Sequence, residues 1–136
     1  MNISGFEFPE DLLYDDEKHV WVKKEGEEIK VGITSLGQYM AGKIFQVSTK
    51  EEGEDVTPRS NIFSVESAKW IGKFRLPIKG KIVGINKEVI DNPGLINEKP
   101  YEAWIVKIKV EKFTENLKTL DEVIDKFKAE AEKVAR

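Results

Sequence analysis

Val65-Glu66-Ser67-Ala68-Lys69-Trp70 places one lysine where two strand-like runs meet. Ile62-Phe63-Ser64-Val65 leads in, and Phe74, Leu76, Ile78, Ile82 and Val83 follow, so both flanks suit a pleated sheet. Lys69 is therefore expected at or near a hairpin tip. The small residues Ser67 and Ala68 would serve the turn and leave the lysine unobstructed. A lysine on a turn is ordinarily solvated surface, so the rest of the chain has to give it meaning.

Upstream, Ile44-Phe45-Gln46-Val47 reads as a strand, and Lys50 to Asp55 as a solvated loop followed by Pro58, which argues against a central strand there. Thr34 or Ser35 is placed to cap a brief helix over Leu36 to Met40 that Gly42 stops. His19-Val20-Trp21-Val22 and Ile29-Lys30-Val31-Gly32-Ile33 are expected to pair antiparallel around the charged turn Lys23 to Glu27. Pro9-Glu10-Asp11 has the look of a short helix start.

Downstream, Pro77 and Gly80 are expected to shape the strand leaving the tip, with glycine marking a bend or close approach. Asn86 to Gly94 reads as one or two helical turns. Ala103 to Val110 reads as a long strand closing the sheet, with Trp104, Val106, Ile108 and Val110 on the buried face. Leu117, Leu120, Val123, Ile124, Phe127, Ala131 and Val134 then recur at helical steps, predicting a helix over 119–135. Thr119 and Glu122 have capping-box spacing; Glu122 with Lys126 and Glu132 with Arg136 are favourable i, i+4 pairs. The helix docks on the sheet in one reading and binds a partner in the other.

With 136 residues the chain suits one domain, 1–136, with a core over about 9–110. Its 22 basic and 25 acidic residues leave a formal net charge of -3, which gives no reason to seek nucleic acid or an anionic membrane. There is no cysteine, so thiolate nucleophiles, disulfides and cysteine metal sites are excluded, and redox chemistry must be imported. Met1 to Phe8 lack the features of a signal peptide and no stretch approaches a membrane span, so a cytoplasmic location is expected.

His19 is the only histidine, and the run Asp15-Asp16-Glu17 has no matching ligands elsewhere, which leaves it a solvated loop. No glycine-rich phosphate loop, nucleophile elbow or metal-spaced motif appears. Nothing argues for an enzyme.

Val65-Glu66-Ser67-Ala68-Lys69 resembles the lipoyl attachment motif Val-Glu-Ser-Val-Lys of the H protein of the glycine cleavage system. Further landmarks follow in the family's order: His19-Val20-Trp21, Val31-Gly32-Ile33-Thr34, Pro77-Ile78-Lys79-Gly80 and Asn97-Glu98-Lys99-Pro100-Tyr101. The chain departs from the family beyond the lysine, where Trp70-Ile71-Gly72-Lys73-Phe74 replaces small and acidic residues and, with Arg75, Lys79 and Lys81, makes the hairpin basic. Ser48-Thr49 stands for the usual Leu-Pro, and the segment after Tyr101 is shortened to Glu102-Ala103-Trp104. Trp70 reads either as a docking anchor or as packing across the hairpin.

The resemblance implies a mainly β fold of two antiparallel sheets, packed as a sandwich or flattened barrel. This is the hammerhead or barrel-sandwich hybrid of lipoyl carriers, here with short helices and a C-terminal helix. It implies lipoic acid in amide linkage to Lys69, Glu66 as a residue read by the lipoylating enzyme or simply a solubilising one, and His19 as a shield for the folded-back arm or a structural histidine. The implied function is a shuttle. Lipoyl-Lys69 would carry the aminomethyl group of glycine between glycine decarboxylase (P protein), aminomethyltransferase (T protein) and dihydrolipoyl dehydrogenase (L protein). The alternative keeps the arm and carries sulfur species for a heterodisulfide-reductase-like complex; a binding module without shuttle duty is a third reading. Biotin carriage fits poorly, because its lysine usually sits between methionines and this one lies between Ala68 and Trp70.

Overall fold

The computed structural model describes residues 1–15 and 17–134. In chain order the strands are β1 (Asn2–Ile3), β2 (Phe6–Glu7), β3 (Leu13–Asp15), β4 (Val20–Glu25), β5 (Glu28–Ile33), β6 (Ile44–Thr49), β7 (Asp55–Val56), β8 (Phe63–Ser67), β9 (Trp70–Phe74), β10 (Ile78–Ile85), β11 (Val106–Phe113) and β12 (Lys118–Thr119). The helices are α1 (Ser35–Ala41), α2 (Lys87–Asp91), α3 (Leu95–Glu98) and α4 (Leu120–Val134). All strand pairs are antiparallel. One sheet runs β12-β3-β4-β5-β11-β10-β7, a second β6-β8-β9, and β1-β2 form a small ribbon. The fold is mainly β with a C-terminal helix, and neither large sheet closes into a barrel.

The period of two in β4 decides the layering. Val20 and Val22 point to one face and Trp21 to the other, yet all three are buried, so the large sheet is covered on both sides. On one side Val31, Val106, Ile108 and Ile82 meet Val47, Phe63, Val65 and Phe74 of the small sheet. Phe63 and Phe74 stack at 4.7 Å within this layer. On the other side Trp21, Tyr14 and Phe8 lie under α4 and α1. Phe127 of α4 stacks on Phe8 at 4.8 Å and meets Tyr14 edge-on at 5.7 Å. Burying that one ring contributes about 1.5–3 kcal/mol. The apolar stripe of the tail thus docks on the sheet, with Leu120, Val123, Phe127 and Ala131 buried. Glu122 accepts from the Thr119 N–H at 2.9 Å, the capping-box contact expected from the spacing. Residues 135 and 136, including Arg136 of the expected pair with Glu132, lie outside the described residues.

The β4–β5 hairpin forms as expected, turning at Gly26 with φ +69°. Thr34 caps α1 by accepting from the Gly37 N–H at 3.0 Å, and Gly42 ends it with φ +83°. Gly80 sits at a register shift in β10, where an added Cβ would lie 2.3 Å from the Lys109 carbonyl oxygen. The expected close approach is there.

Four expectations fail. Pro9 to Asp11 form a turn between β2 and β3, a connection too short for a helix. Strand β11 starts at Val106 instead of Ala103, because Ile105 is buried and Trp104 half-exposed, breaking the phase of the alternation. It also lies inside the large sheet between β5 and β10, where it closes nothing. Asp55, read as loop, joins Val56 in an edge strand on β10.

Candidate functional site

Strands β8 and β9 are joined by a two-residue turn, Ala68-Lys69, closed by the pair Ser67–Trp70. Lys69 is exposed at that tip, in a turn that lies outside either strand. The tip is held from below. Ser67, buried at the base, donates its hydroxyl to the Ala41 carbonyl at 2.7 Å, so the hairpin is tied to the last turn of α1. The sequence reading gave Ser67 only a local turn role; its partner is 26 residues away.

The next residue of that turn, Gly42, lies beneath the lysine stem: a Cβ built on it would come 3.0 Å from Lys69 Cε. Asn97 fixes this junction with its whole amide. Its Oδ1 accepts from the Ile44 N–H at 2.8 Å, and its Nδ2 donates to the Gly42 carbonyl and to Gln38 Oε1, both at 2.9 Å. The motif Asn97 to Tyr101 continues the clamp, since Pro100 O accepts from Trp21 Nε1 at 3.0 Å and the Tyr101 hydroxyl donates to the Glu7 carbonyl at 2.6 Å.

A cleft of about 580 Å³ opens beside the tip. Lys69 and the edge strand β9 form one wall, Gly37, Met40 and Ala41 of α1 the floor, and Glu17, Lys18 and His19 the far end. Trp70 packs along its own strand, its indole over Gly72 and edge-on to Phe74 at 6.1 Å, leaving it 42% exposed. Contact across the hairpin, the packing alternative in the sequence reading, is replaced by contact along it.

His19 is buried in a left-handed conformation, φ +58°, with its Nε2 3.0 Å from Glu130 Oε2 on α4. Its ring also packs on Phe127 at 5.4 Å. It is therefore both a cleft residue and a structural contact to the C-terminal helix. Glu66 stays out of the cleft. It is half-buried on the opposite face of the small sheet, between Gln46 and Ile71. Asp15 closes a turn by accepting from the N–H groups of Glu17 and Lys18 at 3.0 and 3.2 Å; Asp16 lies outside the described residues. Among the described residues no group of three or more His, Cys, Asp or Glu is placed to hold a metal, and no helix is long and apolar enough to cross a membrane.

Of the residues singled out in the sequence, Lys69 and His19 line the cleft and Glu66 does not, while Met40, Gly37 and the Trp70–Gly72 contact escaped the sequence reading. Only the glycine two residues after tryptophan offered a signal.

The family model described as glycine cleavage H-protein matches residues 12–134. "Probable glycine cleavage system H protein 3" of Sulfurisphaera tokodaii is 62% identical over 136 residues, covering 100% of both chains. The protein of the same name from Saccharolobus solfataricus is 56% identical over 140 residues, again covering 100% of each. The crystal structure of a glycine cleavage system H protein from Mycobacterium marinum superimposes with a TM-score of 0.80 at 28% identity, covering 88% of this chain and 98% of that one.

Proposed function

Because this chain belongs to the glycine cleavage H-protein family, whose members are lipoyl carriers and not enzymes, we propose that Lys69 is its attachment residue and residues 1–136 one carrier domain. The observation that carries this is the exposed Lys69 at a hairpin tip tied to α1, beside a cleft of about 580 Å³. A carrier lysine has to be accessible to several enzymes while its origin stays fixed. The Ser67–Ala41 bond and the Asn97 clamp fix that origin.

Bound in amide linkage to Nζ, lipoic acid supplies a dithiolane that takes up a one-carbon amine fragment and is afterwards reoxidised. The chain's own part is positional. Gly42 leaves room for the lysine stem, and Met40, Trp70 and Phe74 give the cleft an apolar lining that limits water. His19, held by Glu130, closes its far end. Glycine decarboxylase, aminomethyltransferase and dihydrolipoyl dehydrogenase are the partners in this reading, with a lipoylating enzyme that recognises Glu66, in the cytoplasm.

A second reading changes the cargo to sulfur species and the partner to a heterodisulfide-reductase-like complex. What favours it is the charge at the cleft, where Lys18 and Lys73 stand with Glu17, the one acid that lines it among the described residues. An aminomethyl cargo is cationic and prefers carboxylates; oxidised sulfur groups are anionic and prefer lysines.

Mass analysis of the Lys69 peptide from natively produced protein tests the carrier reading. A lipoyl adduct on Lys69 supports it, and an unmodified lysine under all growth conditions sinks it. Incubating the lipoylated protein with glycine decarboxylase and labelled glycine then separates the cargoes: label on the Lys69 peptide supports glycine, and none supports sulfur.

A further inference from the structure

An edge strand offers main-chain donors and acceptors to further pairing, and three of the four edges of the two larger sheets are protected. Strands β7 and β12, at the ends of the large sheet, are two residues long, and α2 packs against β6 of the small one. Strand β9 runs for five residues and pairs only with β8 among the described residues. The alternation of an antiparallel ladder decides which of its groups are already paired. Trp70 closes the two-residue turn and the Phe74 carbonyl accepts from the Ile62 N–H at 2.8 Å, so Trp70, Gly72 and Phe74 turn their main-chain groups toward β8. Ile71 and Lys73 turn theirs outward, where among the described residues they meet no partner. Both residues line the cleft of about 580 Å³.

We propose that the outward edge of β9 accepts an extended, acidic segment of a client protein as a further strand of the small sheet. The N–H and C=O groups of Ile71 and Lys73 supply its main-chain hydrogen bonds. Its inward side chains meet Phe74, Met40 and Ala41 and are therefore apolar. Those on the other face stand beside Ile71 and Lys73, where a carboxylate pairs with the lysine across the strands. Charge selects the occupant. A lysine in an open edge opposes pairing with a second copy, which would bring Lys73 close to its own counterpart. Lys18 adds positive charge to the same cleft, against Glu17 as the one acid lining it among the described residues. Strand β9 begins at the residue after Lys69, so the ladder sets the client's main chain at a fixed distance from the lysine. In the carrier reading a strand seated there fills the cleft and holds the arm outside it; this consequence, unlike the strand addition, rests on that reading.

The probe is a blocked heptapeptide alternating valine and glutamate, titrated into the full unmodified chain and followed by amide proton–nitrogen NMR spectra. Saturable binding is expected, with the Ile71 and Lys73 amides moving downfield and exchanging more slowly with solvent while the Gly72 amide, already paired, stays in place. Methylating the peptide nitrogens that would face β9 abolishes binding, and a lysine-for-glutamate peptide binds about tenfold more weakly. Ile71→Pro removes one outward N–H without touching the β8 ladder and lowers affinity by about tenfold. Should that variant fail to fold, the methylated peptide makes the same test on the unaltered chain. Absence of saturable binding, undiminished binding of the methylated peptide, or equal binding of the two charge forms overturns the proposal. So does pairing of two copies through β9, seen as a concentration-dependent shift of the Ile71 amide without peptide. Lipoylation of Lys69 is expected to weaken the peptide severalfold, and equal affinity with and without the arm overturns the sharing of the cleft. Peptide binding by a chain that is never lipoylated on Lys69 overturns the carrier reading and leaves the strand addition standing.

Discussion

The Ser67 hydroxyl donates to the Ala41 carbonyl at 2.7 Å in a buried setting, joining the base of the lysine hairpin to the end of α1. Removing a buried donor costs more than the net strength of the bond, because the acceptor is left without a partner. Ser67→Ala is expected to lower unfolding free energy by about 1–3 kcal/mol in chemical denaturation. Ser67→Thr, which keeps the hydroxyl, stays closer to the parent. Equal stability of the alanine variant and the parent would show that the tie contributes nothing.

Two glycines lie under tryptophans, and burial separates their consequences. A Cβ on Gly32 would meet the Trp21 indole at 2.5 Å, and that indole is 2% exposed and bonded to Pro100. It has nowhere to go. Gly32→Ala should cost about 1–3 kcal/mol or more by overpacking. A Cβ on Gly72 would come still nearer to Trp70, at 2.0 Å, but that indole is 42% exposed and free to swing outward. Gly72→Ala should therefore cost less than about 1 kcal/mol, while the emission component assigned to Trp70 by subtracting a Trp70→Phe spectrum shifts to the red. The opposite ranking of the two stabilities would refute the packing account.

The long strands, α1 and α4 were legible because each carries a period that local chemistry imposes: two in β4 and β5, near 3.6 in α4. Thr34, Gly42 and Thr119 marked ends through their own capping chemistry. The ribbon β1–β2, the edge strands β7 and β12 and the single turn α3 span only two to four residues, too few to display a period. They exist through tertiary pairing, as when Val56 pairs with Gly80. The site divides in the same way. Lys69 follows from strand-turn-strand patterning, whereas the His19–Glu130 contact joins residues 111 apart and has no local signature.

That contact makes the C-terminal helix part of the cleft's support. With His19 buried beside Phe127, Glu130→Ala leaves Nε2 unpaired and is expected to destabilise the fold by about 1–3 kcal/mol. Phe127→Ala removes the ring that touches Phe8, Tyr14 and His19 and should cost about 3–5 kcal/mol. Thermal unfolding of the two variants gives the ranking. A Phe127→Ala loss below that of Glu130→Ala would mean that α4 is held by its polar contact and not by its apolar stripe.

Alkaline pH probes the second core layer. Burial pushes the Tyr101 hydroxyl up to about 12 from its ordinary 10, and burial likewise raises Tyr14. A group whose folded value lies above its unfolded one keeps its proton more firmly in the native state, so its stabilisation is complete below pH 10 and is lost as pH rises through about 12. Unfolding free energy should therefore fall steeply across that window. Tyr101→Phe forfeits the bonds to Glu7 and Ser35 and starts from a plateau lower by about 1 kcal/mol. It then falls less steeply between pH 10 and 12, because one of the two tyrosines no longer titrates. Lysine deprotonation in this range is shared by both proteins, so the difference between the two curves isolates the hydroxyl. Parallel curves would mean that Tyr101 is as free to ionise in the folded chain as in the unfolded one.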